Sequence, residues 1–217
     1  MSNIDFDKVS EKQILEMKKA VLDYCYIMKQ KELIKDNNLS QDFKDIYYDY
    51  YLKASHIKFP KNGDAYNTYF EILSNNLSDG KNTHKTSLDE LKKVICSLKS
   101  ITKNNQFSVA TKMLHTVNPD LPIYDKKVRE YLSANEKNSK GKQFPKTVIG
   151  EKAIYDYWEE LIVWYSDNKA KKSDWINWFD RTILNNKNKK SITAVKKIDF
   201  IIFILGNQIT KQSERDD

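Results

Sequence analysis

Glycine and proline are scarce in this sequence, with five glycines and four prolines among 217 residues. All-β barrels and sandwiches need many tight turns, so this scarcity argues against both of these fold classes. Long stretches without a helix-breaking residue favour α-helices instead. We therefore expect an all-α fold in which residues 1–217 form a single domain, built as one body or as two closely packed lobes.

Cysteine and histidine are also rare, which limits the metal chemistry that the chain can carry. The two cysteines, Cys25 and Cys96, form no C-x-x-C motif and are too few for a four-cysteine iron–sulfur cluster. The three histidines, His56, His84 and His115, do not have the spacing of zinc ligands. We expect no metal and no other cofactor.

The sequence has no long apolar run. The longest, IDFIIFIL at residues 198–205, is too short to span a bilayer and is interrupted by Asp199. No signal peptide is recognisable. The sequence therefore predicts a cytoplasmic protein that does not bind a membrane.

Basic residues outnumber acidic ones and give a formal net charge of +7. The excess is uneven, since eight basic residues and only three acidic ones lie between Lys126 and Lys152. A second basic cluster contains Lys187, Lys189, Lys190, Lys196 and Lys197. A run of charge is usually a solvated surface, and a polyanionic partner such as nucleic acid is the alternative.

Helical periodicity is strongest in three consecutive segments in the middle of the chain. Ser87 and Glu90 form the capping-box pattern S-x-x-E, which predicts a helix start. The sequence KNNQ, residues 103–106, joins this helix to a second one in a short hairpin, and NPDLP, residues 118–122, ends the second helix. A third helix is predicted to begin at Tyr124–Asp125. Further helices are predicted over residues 10–35, 40–57, 66–74, 151–166, 174–184 and 191–205.

The second of these helices has an apolar and a polar face at 100° per residue. The apolar face contains Ala110, Met113, Leu114 and Val117. The polar face contains Ser108, Thr111, Lys112 and His115. The simplest interpretation is that the polar face contacts solvent, and contact with DNA is the alternative.

Asp125 lies where the third helix begins. Aspartate is a preferred N-cap residue, so capping alone accounts for its position. A catalytic carboxylate is the alternative, because Asp125 follows a helical hairpin and a proline-containing turn and precedes Lys126, Lys127 and Arg129.

The segment from Leu88 to Leu132, within residues 86–135, resembles the helix–hairpin–helix DNA glycosylases. In that superfamily a hairpin grips the DNA backbone through main-chain N–H groups, and a catalytic aspartate follows in a P-V-D setting at a helix start. LPIYD, residues 121–125, occupies that place. ATK, residues 110–112, resembles the G-T-K of the branch that excises 8-oxoguanine, and KKIDFIIFILG, residues 196–206, resembles the last helix of a bacterial subgroup.

This resemblance implies a two-lobed helical fold with a cleft, and a monomeric enzyme that excises a modified base from double-stranded DNA. Asp125 would stabilise the oxocarbenium-like transition state, and Lys112 would be either a Schiff-base nucleophile or a DNA contact. The glycines of the family's hairpin are missing here, so the backbone would be held differently. The implied DNA-binding residues are Asn104, Asn105, Gln106, Ser108, Thr111, His115, Lys126, Lys127 and Arg129.

A base pocket is implied on the last helix, where Asp199 would accept hydrogen bonds from a flipped base and Phe203 would stack on it. The alternative for Asp199 is an ion pair with Lys196, since an unpaired buried charge is costly. Most of the four tryptophans Trp158, Trp164, Trp175 and Trp178 are expected to pack in the core. The tyrosines of residues 47–51 are expected to form a half-buried helix face, with a nucleic-acid groove as the alternative.

Two classes of base remain as alternatives for the substrate. One is an oxidised purine, the substrate of a repair enzyme, and the other is a hypermodified base of phage DNA, the target of a bacterial defence enzyme. Two functions of other classes also remain. The chain would be a DNA-binding module without catalysis, or a helical adaptor between proteins whose basic surface is incidental.

Overall fold

A computed structural model describes residues 6, 9–31, 39–53, 63–78, 84–104, 106–185 and 191–213. Most of these residues are helical, which confirms the all-α fold. Extended pairing within the described ranges is limited to one isolated bridge between Lys137 and Gln143. None of the helices in this part of the chain has the length and apolar character that a membrane span requires.

The helices are numbered in chain order. Their bounds are α1 (Glu11–Lys31), α2 (Gln41–Tyr47), which continues as a π-helical turn (Tyr48–Leu52), α3 (Asp64–Ser78), α4 (His84–Thr102), α5 (Phe107–Val117), α6 (Lys126–Asn135), α7 (Glu151–Lys171), α8 (Ser173–Thr182) and α9 (Ala194–Ser213).

The predicted helix starts agree with the structure where a cap defines them. Helix α6 begins directly after Asp125, as predicted, because the Asp125 side chain caps it. Helix α4 begins at His84, so the start predicted at Ser87 is wrong by one turn. Helix α9 ends at Ser213, beyond the predicted end at Leu205, because a single glycine, Gly206, does not interrupt it.

The chain divides into two compact units. The first unit consists of the described residues up to Val21 and those from Tyr124 onwards, so it holds α6 to α9. The second unit runs from Leu22 to Ile123 and holds α2 to α5. The single domain over residues 1–217 and the cleft between lobes stay predictions.

The second unit has a core rich in tyrosine. Helix α5 packs against α3, α4 and the π-helical turn. Buried aromatic rings around it include Tyr24, Tyr47, Tyr66, Tyr69 and Phe70. Large rings fill volume with little loss of conformational entropy, and their hydroxyls bring polar groups into the core that must find partners.

The connection between α4 and α5 is short, as predicted, and contains a strained residue. Lys103 has φ +61°, in the left-handed region where glycine is the usual residue at the end of a helix. A lysine in this glycine-like conformation costs about 1–2 kcal/mol.

The first unit is built on a close crossing of α6 and α9. Gly206 in α9 faces the carbonyl of Lys127 in α6, and a Cβ atom at Gly206 would lie 2.4 Å from that oxygen. Only glycine allows the backbones to approach so closely. Trp158, Trp164 and Trp175 are buried within this unit, which confirms core packing for these rings.

Candidate functional site

Asp125 is held in place by the helix that it caps. Its backbone is extended (φ −135°, ψ 155°), and one carboxylate oxygen accepts a hydrogen bond from the main-chain N–H of Lys127 at 2.8 Å. The side chain is half-buried. A carboxylate fixed in this way has a defined direction and stays accessible from one side, which suits both capping and chemistry.

The three cations after Asp125 differ in their partners. Lys126 is exposed and lies 3.7 Å from a carboxylate oxygen of Glu130, and Lys127 lies 3.3 Å from the other oxygen. Arg129 has a different partner, because its Nη1 donates to the hydroxyl of Tyr124 at 3.0 Å. Glu130 therefore compensates the two lysines, whereas the guanidinium is held by a neutral group.

Lys112 does not lie on a solvent-facing polar surface. Its side chain is only 5% exposed, and Nζ donates to the main-chain carbonyl of Tyr51 at 3.1 Å. Thr111 and His115 are fully buried as well. The interpretation that this face contacts solvent is therefore wrong for these three side chains, and a contact with DNA stays a prediction.

His115 is bonded on both ring nitrogens. Nδ1 lies 2.5 Å from the carbonyl of Leu121, and Nε2 lies 3.2 Å from the Tyr24 hydroxyl. A carbonyl only accepts hydrogen bonds, so Nδ1 carries the proton and Nε2 accepts from Tyr24. The ring is thus held at both nitrogens, and its bond to the Leu121 carbonyl fixes the turn that follows α5.

A second buried chain of hydrogen bonds runs from α5 into the tyrosine core. The Thr116 and Tyr47 hydroxyls lie 3.1 Å apart, and the Tyr69 hydroxyl donates to that of Tyr47 at 3.1 Å. Burial raises the pKa of Tyr47 to about 12, against the opposing effect of hydrogen bonds to Thr116 and Tyr69. The buried polar side chains of α5 therefore form hydrogen bonds within the core of the second unit.

The side chains at the α4–α5 connection that were predicted to bind DNA differ in their exposure to solvent. Asn104 is exposed, and its Nδ2 donates to the carbonyl of Thr102 at 3.2 Å. Gln106 and Ser108 are half-buried at the start of α5, where no side chain caps the helix. Asn105, together with Lys187, Lys189 and Lys190 of the second basic cluster, lies outside the described residues.

Asp199 is buried in an ion pair. Its Oδ2 lies 2.7 Å from Nζ of Lys196, and the Tyr165 hydroxyl donates to Oδ1 at 3.5 Å. The predicted alternative, pairing with Lys196, is confirmed. Phe203 is 43% exposed, so the two members of the predicted base pocket lie in different environments.

Two tyrosines near Asp125 were missing from the sequence-based assignment. Tyr124 directly precedes Asp125, and its ring packs edge-on against Tyr157 of α7 with centroids 5.4 Å apart. Tyr124 was treated only as a helix-start residue. Tyr157 gave no signal, since it is remote in sequence and has the spacing of an ordinary core residue.

In the described part of the chain, no three His, Cys, Asp or Glu side chains come together as a metal site. Comparison of the chain with protein-family models, curated proteins and solved structures finds no match.

Proposed function

We propose that the protein is a DNA N-glycosylase in which Asp125 is the catalytic carboxylate. The observation that carries this proposal is the placement of Asp125: a half-buried, oriented carboxylate at the start of α6, followed by three cations. Helices α4 and α5 would form the helix–hairpin–helix element that grips the DNA backbone. The resemblance of residues 86–135 to this class of enzyme supports the same assignment.

The chemistry of base excision matches these groups. Breaking the bond between a base and its sugar develops positive charge on the sugar, and a fixed carboxylate nearby stabilises that charge. The same carboxylate can take a proton from an attacking water. Lys126 and Arg129 would attract the phosphates on either side of a base that has been flipped out of the duplex.

Lys112 is assigned to the protein interior and not to the reaction. A Schiff-base lysine must reach C1′ of the sugar, whereas Nζ of Lys112 is buried and donates to the Tyr51 carbonyl. The proposed reaction is therefore hydrolysis by water, without a covalent intermediate and without strand cleavage by a lysine.

The proposed substrate is double-stranded DNA with a modified base, acted on by a monomer in the cytoplasm of a bacterium. An oxidised purine fits a role in repair, and a hypermodified phage base fits a role in defence. The pocket that selects the base is not assigned, because Asp199 is occupied by Lys196 and Tyr165.

Base release from a panel of DNAs tests the proposal. Duplexes with 8-oxoguanine, uracil, an alkylated purine or glucosylated hydroxymethylcytosine are incubated with the protein, and free base is measured by mass spectrometry. Release by the wild type and none by Asp125→Asn is expected, since asparagine caps a helix as well as aspartate but carries no charge. Salt-dependent DNA binding without release of any base would support a binding module instead. Absence of both would support a protein adaptor.

A further inference from the structure

Arg129 has no acidic partner among the described residues. The side chain is half-buried, and Nη1 donates to the Tyr124 hydroxyl at 3.0 Å. Nε is buried and has no acceptor in the part of the chain that the structure describes. A guanidinium in this position carries an uncompensated charge and at least one unused donor, although arginine usually pairs with a carboxylate or a phosphate.

Tyr157 presents a second unused donor in the same cluster. The residue is 3% exposed, and its buried hydroxyl has no hydrogen-bond partner within the described ranges. The ring packs edge-on against Tyr124 and lies 5.7 Å from the ring of Phe144. Tyr124 links this residue to Arg129, because it packs against the Tyr157 ring and its hydroxyl accepts from the Arg129 guanidinium.

Two unused donors on residues that both contact Tyr124 call for an acceptor. Buried polar groups nearly always have partners, and an orphaned group in a folded protein marks an absent water, ion or ligand. Because one of the two donors is charged, an anion is favoured over water, and an anion with two acceptor oxygens can accept from both groups. Phosphate has this geometry, and the guanidinium fork binds phosphate, as it binds carboxylate, through paired N–H donors.

We propose that Arg129 and Tyr157 form a phosphate-binding site, with Tyr124 as its cover. Tyr124 accepts from Nη1 of Arg129 and packs against the Tyr157 ring, so rotation of the Tyr124 ring would open the site to a ligand. The phosphate is assigned to the DNA backbone beside the excised nucleotide, and this assignment of its source rests on the proposed function. The site itself rests only on the three side chains.

The location of the site couples the phosphate to the catalytic carboxylate. Tyr124 is the residue before Asp125, and the main-chain N–H of Arg129 donates to the Asp125 carbonyl at 3.0 Å. A phosphate that displaces Tyr124 therefore acts on the backbone that orients Asp125. Arg129 and Tyr157 are positioning residues, since neither is placed at the glycosidic bond.

Inorganic phosphate is the probe for the site. The thermal unfolding midpoint is measured in phosphate and in sodium chloride of equal ionic strength for the wild type, Arg129→Gln and Tyr157→Phe. The matched control is Tyr131→Phe, because Tyr131 is also 3% exposed and its hydroxyl also lacks a partner. Both phenylalanine variants remove an orphaned hydroxyl, so their stability in chloride should equal or exceed that of the wild type.

Phosphate should raise the midpoint of the wild type and of Tyr131→Phe by about 2–4 °C, as expected for a ligand present at several times its Kd. Arg129→Gln and Tyr157→Phe should lose most of this shift. Equal shifts in Tyr157→Phe and Tyr131→Phe would overturn the proposal, as a bridging water would then satisfy both donors. A wild type that responds equally to phosphate and chloride would overturn it as well.

Binding to duplex DNA at several salt concentrations identifies the source of the phosphate. Arg129→Gln should lower the slope of log K against log salt by about 0.9, the value for one phosphate contact. Tyr157→Phe should weaken binding about tenfold with an unchanged slope, because it removes a neutral donor to a charged acceptor. Wild-type DNA affinity in both variants, combined with a lost phosphate shift, would assign the site to a free phosphate compound and overturn the DNA source.

These results are independent of the test of the proposed function. If no DNA of the panel loses a base, the glycosylase assignment fails while the phosphate shift still reports on Arg129 and Tyr157. If bases are released but Tyr157→Phe retains the full phosphate shift, the glycosylase assignment stands and the site is wrong.

Discussion

The ammonium group of Lys112 donates a hydrogen bond to the main-chain carbonyl of Tyr51 at 3.1 Å, inside the second unit. Tyr51 lies in the π-helical turn Tyr48–Leu52. Lys112 therefore ties α5 to this turn inside the core of the second unit, and this structural role accounts for its burial.

Replacement of Lys112 by methionine should keep the packing of the side-chain stem and remove the donor. We expect a loss of about 1–3 kcal/mol of unfolding free energy, the cost of losing a buried hydrogen bond, with base release retained. Urea unfolding and the mass-spectrometric assay measure the two effects, and Lys19→Met on the exposed side of α1 is the neutral control. Borohydride should trap no protein–DNA adduct. A covalent adduct that forms in the wild type and disappears in Lys112→Met would show that Lys112 is the nucleophile after all.

Replacement of Asp199 by asparagine should be strongly destabilising. The variant leaves the Lys196 ammonium buried without its counter-ion, and breaking a buried pair in this way costs about 3–5 kcal/mol. The double variant Lys196→Met/Asp199→Asn should recover much of that loss in urea unfolding. If Asp199→Asn is as stable as the wild type but releases no base, the carboxylate serves a base pocket and not the core.

Gly206→Ala tests the crossing of α6 and α9. Alanine favours a helix over glycine by about 1 kcal/mol, but the added Cβ would lie 2.4 Å from the Lys127 carbonyl, and such overpacking costs about 1–3 kcal/mol. The clash is with backbone, which cannot rotate away, so we expect net destabilisation by about 1–2 kcal/mol in urea unfolding. A stabilised variant would show that the helices separate without cost.

The tyrosine core should weaken in alkali. Burial raises the pKa of Tyr47 from 10.0 to about 12, so the unfolded chain releases this proton first as the pH rises. The stabilisation is complete below about pH 10 and falls between about pH 10 and about pH 12, by up to about 1.4 kcal/mol for each pH unit. Unfolding free energies of the wild type and Tyr47→Phe over this range measure the effect. Identical pH profiles of the two proteins would contradict it.

Local features of this structure could be predicted from the sequence, whereas contacts between residues remote in sequence could not. The start of α6 was predictable because Asp125 and its proline-containing turn are local signals. The environment of α5 was not, because a helical angle separates polar from apolar side chains but does not show what covers each face. Lys112 and His115 are buried because Tyr51 and Tyr24, remote in sequence, supply their partners.

The connection between α4 and α5 illustrates the same limit. The absence of glycine from KNNQ was visible in the sequence, but the left-handed backbone at Lys103 was not. Likewise, Asp199 was recognised as a buried charge, and pairing with Lys196 was one of two alternatives, because a spacing of three residues in a helix allows contact. The orphaned donors of Arg129 and Tyr157 required coordinates, since they are defined by what lies around them.

The central claim is that the charge of Asp125, and not its capping hydrogen bond, drives base release. Single-turnover base release by the wild type, Asp125→Asn and Asp125→Ala on the DNA that the panel identifies tests it most directly. We predict that both variants lose at least about 100-fold in rate, while only Asp125→Ala loses about 1 kcal/mol of stability. Release by Asp125→Asn at the wild-type rate would contradict the account.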